Sequence, residues 1–509
     1  MLHQADILCL LGFLSLLMLV NSISINLDDF RYEIMGKKEY KEQKKDFWEQ
    51  KNLAALKQKL STKENKNKAK NIIFFVGDGM SLGTVVTSRI YSWQTQHKTG
   101  EEGSLSFENF PYTGLSKTYC VDRQVPDSAC TGTAYWSGVK ANFGTLGVSA
   151  NVSFSDRFCG EVNENTTVKT LLDWSQESKK ATGIVTNTRV TDGSPAAGYA
   201  KIPNRNFEYD ANVPLDSNNM TNCIDIAKQL VTNSPGKHIN VIMGGGRDYF
   251  LLKDSNSVIY PSGKRIDTDL VEAWKAGKNK AHFITSKKEL ENLNPLETDY
   301  VLGLFSKGHM PYEDERTGKT PSLTEMTEAA IKILSNCSDN GFLLFVEGGR
   351  IDHAHHETRA MRALTETVEF ANAVKLAYEN TNPEETLIVV TADHAHTLTF
   401  SGYPDRGADI LSFARRDSSG TLYTTLSYAN GPNQNRAFVK HKTTKYYSGV
   451  WNRVETHSGE DVPVYASGPW AHLLTGSFEQ TLIPTVMAYA SCIGDFAGEN
   501  CHQKLSKNK

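Results

Sequence analysis

The feature that most constrains the fold of this chain is an alternation of short apolar runs with helical patterns. The runs of strand length are rich in β-branched and aromatic residues and cover 72–76, 183–185, 239–243, 342–346 and 387–390. Helical patterns cover 171–178, 223–231, 323–334 and 361–378. Strands that alternate with helices favour a mainly parallel sheet with both faces covered. We therefore expect an α/β fold, a three-layer sandwich around that sheet.

The other segments predict the domain organisation. Apolar residues 7–20, followed by Ser22, are typical of a secretory signal peptide over residues 1–22, although a buried helix is an alternative. Residues 23–70 are rich in Lys and Glu and predict an N-terminal helical arm. The α/β domain follows over residues 71–501, with a loop-rich insertion at about 402–454 and a polar tail at 502–509.

Charge and the C-terminus limit the partners. A net charge of −3 leaves no general attraction to nucleic acid or anionic lipid, so an anionic substrate must be bound by a local site. Residues 501–509 are polar and basic, and we expect no hydrophobic tail of the kind that is exchanged for a lipid anchor. Together with the signal peptide, this predicts a secreted, extracellular protein without a membrane anchor. An alternative anchored form stays open.

Cysteines and sequons agree with a secretory route. Of the eight cysteines, Cys9 leaves with the signal peptide, and the rest permit three disulfides and one free thiol in an oxidising compartment. The sequons predict N-glycosylation at Asn151, Asn165, Asn219 and Asn336. Which of them are used stays open.

Carboxylates follow three of the predicted strands. Asp78 lies just after 72–76, Glu347 directly follows 342–346, and Asp393 with His394 lies just after 387–390. Because the carboxyl ends of parallel strands meet at one edge of a sheet, these side chains are expected to converge there. A single Asp between glycines is more often a turn residue, but the repetition at three strand ends favours a ligand site.

Two short segments add metal-ligating residue types. Asp352 and His356 are four residues apart, so a helix would aim both at one metal ion. Asp393, His394 and His396 offer a similar mixture of nitrogen and oxygen ligands, whereas oxygen ligands around Glu347 would suit magnesium better than zinc. The alternative is a polar helix start capped by Asp352.

Ser128 occupies a position suited to an anion. It precedes a helical pattern over 131–140, and a helix N-terminus favours a phosphate through its free N–H groups and its dipole. Asp127 and Ser128 can also serve only as a helix cap.

In combination these motifs resemble the signature blocks of animal alkaline phosphatases. The matching blocks are Gly77 to Met80, Val125 to Ala129, Thr188 to Val190, Glu347 to His356, Thr391 to His394 and Glu455 to Asp461. The resemblance runs from about Asp46 to Cys501, nearly the whole mature chain. It implies hydrolysis of phosphate monoesters through a phosphoserine on Ser128, at a site with two zinc ions and one magnesium ion per subunit of a homodimer.

The resemblance also implies a role for each site residue. The first zinc ion is held by Asp352, His356 and His457, and the second by Asp78, Asp393, His394 and the Ser128 oxygen. Magnesium is held by Asp78, Ser194 and Glu347, while Arg205 binds the substrate phosphate and His396 orients the ligands. The implied disulfides are Cys159–Cys223 and Cys492–Cys501. The arm reaches across the partner subunit.

The chain mixes two patterns of the family near the expected magnesium site and departs from the family at Cys130. Asp192 stands where vertebrate members carry His and bacterial members Asp, and we expect its carboxylate to favour magnesium. His353 follows the vertebrate pattern; its imidazole can carry a proton near neutral pH and partly offset that charge, and its nitrogen can also recruit zinc. Cys130 replaces a small residue without a thiol, which is compatible with a Cys120–Cys130 bridge and a free Cys337. The pairing of these cysteines and a peripheral calcium site stay open.

Two other functions share features of this sequence. Phosphodiesterases and sulfatases of the same superfamily have related metal sites, but their nucleophiles lie in other sequence contexts than Asp127-Ser128-Ala129. A catalytically inactive binding protein or receptor with the same fold is the second alternative. The presence of every expected ligand argues against it.

Overall fold

The computed structural model describes residues 41–218, 220–253, 263–498 and 501–503. The predicted signal peptide, residues 23–40 of the arm, Asn219 and residues 504–509 lie outside this part. The chain divides into two compact units, residues 1–63 and residues 64–509. In the first unit, the described residues of the predicted arm include the helix α1 (Lys45–Ser61).

Helices and strands alternate along the second unit. The strands are β1 (Asn71–Val76), β2 (Tyr112–Lys117), β3 (Ala181–Arg189), β4 (Val241–Gly245), β5 (Ala281–Ile284), β6 (Tyr300–Leu304), β7 (Phe342–Glu347), β8 (Thr386–Thr391), β9 (Ala395–His396), β10 (Leu398–Phe400), β11 (Phe413–Arg416), β12 (Leu422–Thr424), β13 (Leu426–Gly431), β14 (Ser448–Trp451), β15 (His457–Ser458), β16 (Val462–Ser467) and β17 (Gly476–Glu479). The helices after α1 are α2 (Leu82–Gln94), α3 (Ser128–Ser137), α4 (Leu171–Glu177), α5 (Gly193–Ala196), α6 (Ile226–Thr232), α7 (Leu270–Lys275), α8 (Lys287–Glu291), α9 (Leu323–Cys337), α10 (Arg350–His356), α11 (Ala360–Glu379) and α12 (Leu482–Ser491).

The central sheet confirms the predicted α/β class. Its ten strands run in the order β17-β2-β16-β8-β1-β7-β3-β4-β6-β5. Every neighbouring pair from β8 to β5 is parallel, and β16 joins β8 to β2 through antiparallel pairs. Each predicted apolar run overlaps one of the parallel strands. The prediction for 183–185 was too short, because β3 continues through Thr186 and Thr188, whose hydroxyl groups are buried against Glu347.

The sheet is buried on both faces, which explains why its strands are continuously apolar. On β1, Phe74 packs into the core cluster on one face and Phe75 into the cluster on the other. Helices α3, α4, α6 and α12 contribute to the first cluster, and α2, α9 and α11 to the second. The result is the three-layer arrangement that the sequence predicts.

The predicted insertion contains regular structure as well as loops. Strands β10, β13 and β14 form a small sheet, and β11 pairs with β12. Leu426, Tyr428 and Tyr446 belong to a separate core cluster beside α2 and α11. Composition alone predicted a loop-rich insertion because Gly, Asn and Ser are frequent here, whereas the sheet of β10, β13 and β14 depends on pairing between separated segments. Across the described part of the chain, no helix combines the length and the apolar composition needed to cross a bilayer.

Helix α3 is attached firmly to the sheet. Asp127 caps its N-terminus by accepting a hydrogen bond from the Cys130 backbone N–H, and Gly138 closes the C-terminus with a φ of 78°. On its buried face, the Trp136 ring lies 4.9 Å from the Phe345 ring of β7, and Tyr135 stacks on the same ring at 6.5 Å. Phe345 therefore supports the helix that begins at Ser128.

Replacing Phe345 by a small residue should destabilise the fold. We expect Phe345→Ala to lower the free energy of unfolding by roughly 3–5 kcal/mol, because it leaves a cavity between the sheet and α3. Urea unfolding of the parent and the variant measures the difference. Phe400→Ala is the matched control, since its ring is 42% exposed and the change should stay within about 0.5 kcal/mol. Equal stability losses in the two variants would contradict this account of the packing.

Candidate active site

Adjacent parallel strands bring three acidic side chains to one edge of the sheet. Val76 of β1 pairs in register with Glu347 of β7 and with Thr391 of β8. Asp78 and Asp393 each follow two residues beyond these positions, so they reach the same edge as Glu347. All three are buried.

Asp352, His356, His396 and His457 form the first ligand cluster, with one ligand atom of each within 4.8 Å of the others. Asp352 Oδ1 lies 3.4 Å from His356 Nε2 and 3.3 Å from His457 Nε2. Helix α10 places Asp352 and His356 on one side, as their spacing predicted. His457 comes from β15, which pairs with β9.

Asp78, Asp393 and His394 form the second cluster, and Ser128 completes it. His394 Nε2 lies 3.1 Å from Asp393 Oδ2 and 3.4 Å from Asp78 Oδ1. The Ser128 hydroxyl group, at the first residue of α3, donates a hydrogen bond to Asp78 Oδ2 at 3.4 Å and lies 3.3 Å from His394 Nε2. The His394 and His457 rings stack with their centres 3.5 Å apart, so the two clusters adjoin.

Glu347 lies in an environment of oxygen atoms. Its Oε2 accepts hydrogen bonds from Thr188 Oγ1 at 3.0 Å and from Thr186 Oγ1. Ser194 is buried at the start of α5, and α5 packs against α3. The two threonine hydroxyl groups give Glu347 the oxygen neighbourhood that the sequence predicts.

Hydrogen bonds at Nδ1 orient the imidazole rings of His356 and His457. His356 Nδ1 donates to the Glu455 carbonyl oxygen at 2.5 Å, and His457 Nδ1 donates to the Pro126 carbonyl oxygen at 2.7 Å. Their Nε2 atoms are thereby left facing the cluster, which is the usual arrangement of metal-binding histidines.

His396 differs because a carboxylate faces each of its nitrogens. Its Nε2 lies 2.5 Å from Asp352 Oδ1, and its Nδ1 contacts Glu455 Oε2. Burial alone would lower the pKa of His396, but the two carboxylates raise it to about 10. The ring therefore holds Asp352 and Glu455 in place. Gly79 lies against this ring, and a Cβ there would come within 2.3 Å of His396 Cδ2.

The donor set fits bound cations. Asp78 Oδ1, Asp393 Oδ2 and Ser194 Oγ are buried and have no hydrogen-bond partner among the residues that the structure describes. Burial and the neighbouring carboxylates raise the pKa of Asp78, and burial raises that of Glu347 to about 8. Cations at this edge would satisfy these oxygens and offset their repulsion. The mixed nitrogen and oxygen clusters suit Zn²⁺, and the oxygen atoms around Glu347 suit Mg²⁺.

Arg205 is held beside Ser128 by two acidic side chains. Nη1 donates to Asp127 Oδ2 at 2.9 Å, and Nη2 donates to Asp192 Oδ1 at 3.0 Å. The guanidinium packs on the backbone of Gly193, where a Cβ would lie 2.7 Å from Nη2. These bonds use two of the five N–H groups of the guanidinium.

The surroundings of Asp192 correct one prediction from the sequence. Burial would raise the pKa of Asp192, but the guanidinium groups of Arg189 and Arg205 hold it well below its usual range. The sequence allows His353 to carry a proton near neutral pH. The structure corrects this, because burial lowers the pKa of His353 to about 4, and His353 Nδ1 lies 2.8 Å from Arg350 Nη1. The preference of Asp192 for magnesium stays a prediction.

Sequence reasoning missed several residues of the site. Glu455 begins one of the blocks that resemble the family. Its contact with His396 depends on the pairing of β9 with β15, which local spacing does not reveal. Asp127 was interpreted only as a cap or as part of the motif, whereas it also binds Arg205. His309 belongs to no recognised motif, yet it lies beside Asp192 and His353.

The cysteines form three disulfides: Cys120–Cys130, Cys159–Cys223 and Cys492–Cys501. The first was left open by the sequence. Within the described ranges Cys337 is the free thiol. The sequon residues Asn151, Asn165 and Asn336 are exposed.

Comparison with known proteins yields one family. A family model described as alkaline phosphatase matches residues 69–493. The chain is 45% identical over 477 residues to the tissue-nonspecific alkaline phosphatase of Gallus gallus, covering 89% of this chain and 91% of that protein. It is 43% identical over 446 residues to a membrane-bound alkaline phosphatase of Bombyx mori, covering 84% and 80%. A solved structure of a TAB5 alkaline phosphatase mutant, described with magnesium bound, matches with a TM-score of 0.59 at 20% identity, covering 84% of this chain and 100% of that one.

Bound cations should stabilise the folded chain, because they offset the repulsion among buried carboxylates. We expect Zn²⁺ and Mg²⁺ to raise the Tm of chelator-treated protein by at least several degrees, since binding to the folded state alone adds stability. Differential scanning calorimetry measures this increase. Asp393→Asn should reduce it, whereas the exposed Asp405→Asn should leave it unchanged. An equal increase in both variants would locate the stabilising ions elsewhere.

Proposed function

Because the chain belongs to the alkaline phosphatase family and hydrolyses phosphate monoesters, we propose that it acts through a phosphoserine formed on Ser128. The observation that carries the proposal is the position of Ser128 Oγ. It lies 3.4 Å from Asp78 Oδ2 and 3.3 Å from His394 Nε2, at the buried N-terminus of α3. A nucleophile at a helix N-terminus places the incoming phosphoryl group at the positive end of the helix dipole.

The proposed site binds two zinc ions and one magnesium ion in each subunit. Asp352, His356 and His457 hold the first zinc ion, Asp78, Asp393, His394 and the Ser128 oxygen hold the second, and Asp78, Ser194 and Glu347 hold magnesium. When bound, these cations supply Lewis-acid polarisation and positive charge at the oxygens of the reaction. His396 orients Asp352 rather than binding a metal ion, since carboxylates engage both of its ring nitrogens.

Ser128 carries the covalent step. Asp78 Oδ2 accepts the Ser128 hydroxyl hydrogen and thereby orients Oγ. Attack of Oγ forms the bond to phosphorus while the bond from phosphorus to the ester oxygen breaks, and the alcohol leaves. Water then cleaves the phosphoserine and releases inorganic phosphate, which restores the Ser128 hydroxyl group.

Arg205 binds the phosphoryl oxygens. Asp127 and Asp192 fix its guanidinium plane, so its remaining N–H groups are oriented before the substrate arrives. Ser128 and Arg205 would both act on the phosphoryl group rather than on the alcohol. The enzyme is therefore proposed to accept many phosphate monoesters.

Other features extend the proposal to assembly and maturation. Exposed Val439, Val450 and Trp451 in the insertion support a homodimer in which a partner covers apolar surface. Three disulfides support maturation in an oxidising compartment and secretion. Exposed Asn151, Asn165 and Asn336 are proposed glycosylation sites; the fourth sequon, Asn219, lies outside the described residues.

The nucleophile can be tested by trapping. Ser128→Ala should abolish acid-stable labelling by radioactive inorganic phosphate and remove nearly all turnover, because no other hydroxyl is assigned to attack phosphorus. Acid quench followed by peptide mapping gives the labelled residue. Ser137→Ala, which removes a hydroxyl at the other end of the same helix, should retain the label on Ser128. Label on another residue of the parent enzyme would contradict the proposed mechanism.

Phosphate binding by Arg205 can be tested without changing Arg205 itself. Gly193→Ala places a Cβ against the guanidinium, and the flexible side chain should yield rather than the backbone. We expect the inhibition constant for inorganic phosphate to rise roughly tenfold or more, as loss of a charge-assisted hydrogen bond predicts. Gly318→Ala is the control, since no atom lies within 4 Å of its added Cβ. Unchanged inhibition in Gly193→Ala would place the phosphate away from Arg205.

A further inference from the structure

The segment that delivers the nucleophile has little packing of its own. Residues 118–127 connect β2 to α3 without helix or strand structure. Every residue from 121 to 125 is exposed, including Val121 at 55% and Val125 at 40%. Apolar burial therefore does little to define the path of this connection.

A disulfide ties the connection to the first turn of α3. Cys120 and Cys130 are both 2% exposed and, with Ala141, form a small cluster separate from the sheet cores. The bridge closes a loop of 10 residues that contains Pro126, Asp127 and Ser128. Its second cysteine is only two residues after the nucleophile.

Three functional groups depend on the closed loop. Ser128 begins α3, Asp127 Oδ2 accepts from Arg205, and the Pro126 carbonyl oxygen accepts from His457 Nδ1 at 2.7 Å. Asp127 Oδ1 also accepts from the backbone N–H groups of Cys130 and Gly144, at 3.2 and 2.9 Å. The same short loop thus sets the nucleophile, the phosphate-binding arginine and one proposed metal ligand.

Two further hydrogen bonds tie the exposed part of the loop down. The Val121 N–H donates to the Ala141 carbonyl oxygen at 3.0 Å, and Asp122 Oδ1 accepts from the Phe143 N–H at 2.8 Å. Asp122 and Phe143 are exposed, so water competes for their bond. The disulfide is the covalent constraint on this loop.

We propose that the Cys120–Cys130 disulfide is a positioning element of the catalytic site. It keeps the side chains of Ser128, Arg205 and His457 in their correct positions relative to one another. This inference rests on the proposed function, because it takes Ser128 as the nucleophile. The bridge acts through the loop and touches no substrate. A displacement of about 1 Å at reacting groups is enough to reduce a rate by about a hundredfold.

The test compares two bridges in the metal-loaded enzyme. One variant carries Cys120→Ala with Cys130→Ala, and the control carries Cys159→Ala with Cys223→Ala. The control bridge closes a loop of 64 residues against 10, so its loss should reduce stability more. We expect kcat to fall about tenfold or more only when Cys120 and Cys130 are replaced. The inhibition constant for inorganic phosphate should rise in the same variant.

Single-turnover measurements separate positioning from general destabilisation. At a temperature below the Tm of every variant, acid quench should give slower phosphoserine formation in the Cys120/Cys130 variant and parental rates in the control. Parental kcat, phosphate inhibition and phosphoserine formation in the Cys120/Cys130 variant would overturn the proposal. So would losses of activity in both variants that follow their Tm values.

The parent enzyme supplies two further checks. If the Cys120/Cys130 variant fails to fold, the folded parent is reduced with dithiothreitol, which is oxidised to its cyclic disulfide while Cys120 and Cys130 become thiols. Alkylation and peptide mapping measure the fraction of enzyme in which Cys120 and Cys130 are reduced. We expect kcat to fall as this fraction rises. Full activity of enzyme in which the bridge is reduced would overturn the proposal. Absence of phosphoserine on Ser128 in the parent contradicts the proposed function instead, so the two failures are distinguishable.

Discussion

The structure depends on the burial of acidic side chains at the carboxyl edge of a parallel sheet. Asp78, Glu347 and Asp393 follow three neighbouring strands and lose most of their contact with water, and Asp352 adds a fourth carboxylate nearby. Like charges in such a place repel one another, and each is costly to bury without a partner. Cations bound at this edge would offset that repulsion, so the proposed metal site, the stability of the fold and the activity would all involve the same residues.

The surrounding elements direct hydrogen-bond donors and a helix N-terminus at these carboxylates. Helix α3 directs its N-terminus at the edge, β3 supplies the hydroxyl groups of Thr186 and Thr188, and backbone N–H groups of Gly79 and His394 donate to Asp393. The insertion also contributes, because the chain comes back to the site after it. After it, β15 pairs with β9 and places His457 beside His396. Glu455, just before β15, then holds His396 against Asp352.

Local patterns predicted the parts of the site that short segments determine. The four-residue spacing of Asp352 and His356 does place both on one side of α10, and the strand ends do bring Asp78, Glu347 and Asp393 together. The patterns failed where burial or distant pairing decides. By residue type His353 can carry a proton near neutral pH, but burial lowers its pKa to about 4. The segment that contains β11 to β14 was expected to be rich in loops because its composition is typical of turns, yet these strands pair within small sheets.

The sequence by itself determined the strands, the helices between them, the sheet edge where the acidic residues meet, and the family to which the chain belongs. These depend on the spacing of hydrophobic residues, on helix capping and on residue type. All three are set by residues that lie close together in the chain. Only the tertiary structure decided the Cys120–Cys130 bridge, which the sequence left open. It also decided which carboxylate faces each nitrogen of His396, and that Asp127 and Asp192 hold Arg205. Contacts of that kind join residues far apart in the chain, and their strength depends on burial, which no local pattern records.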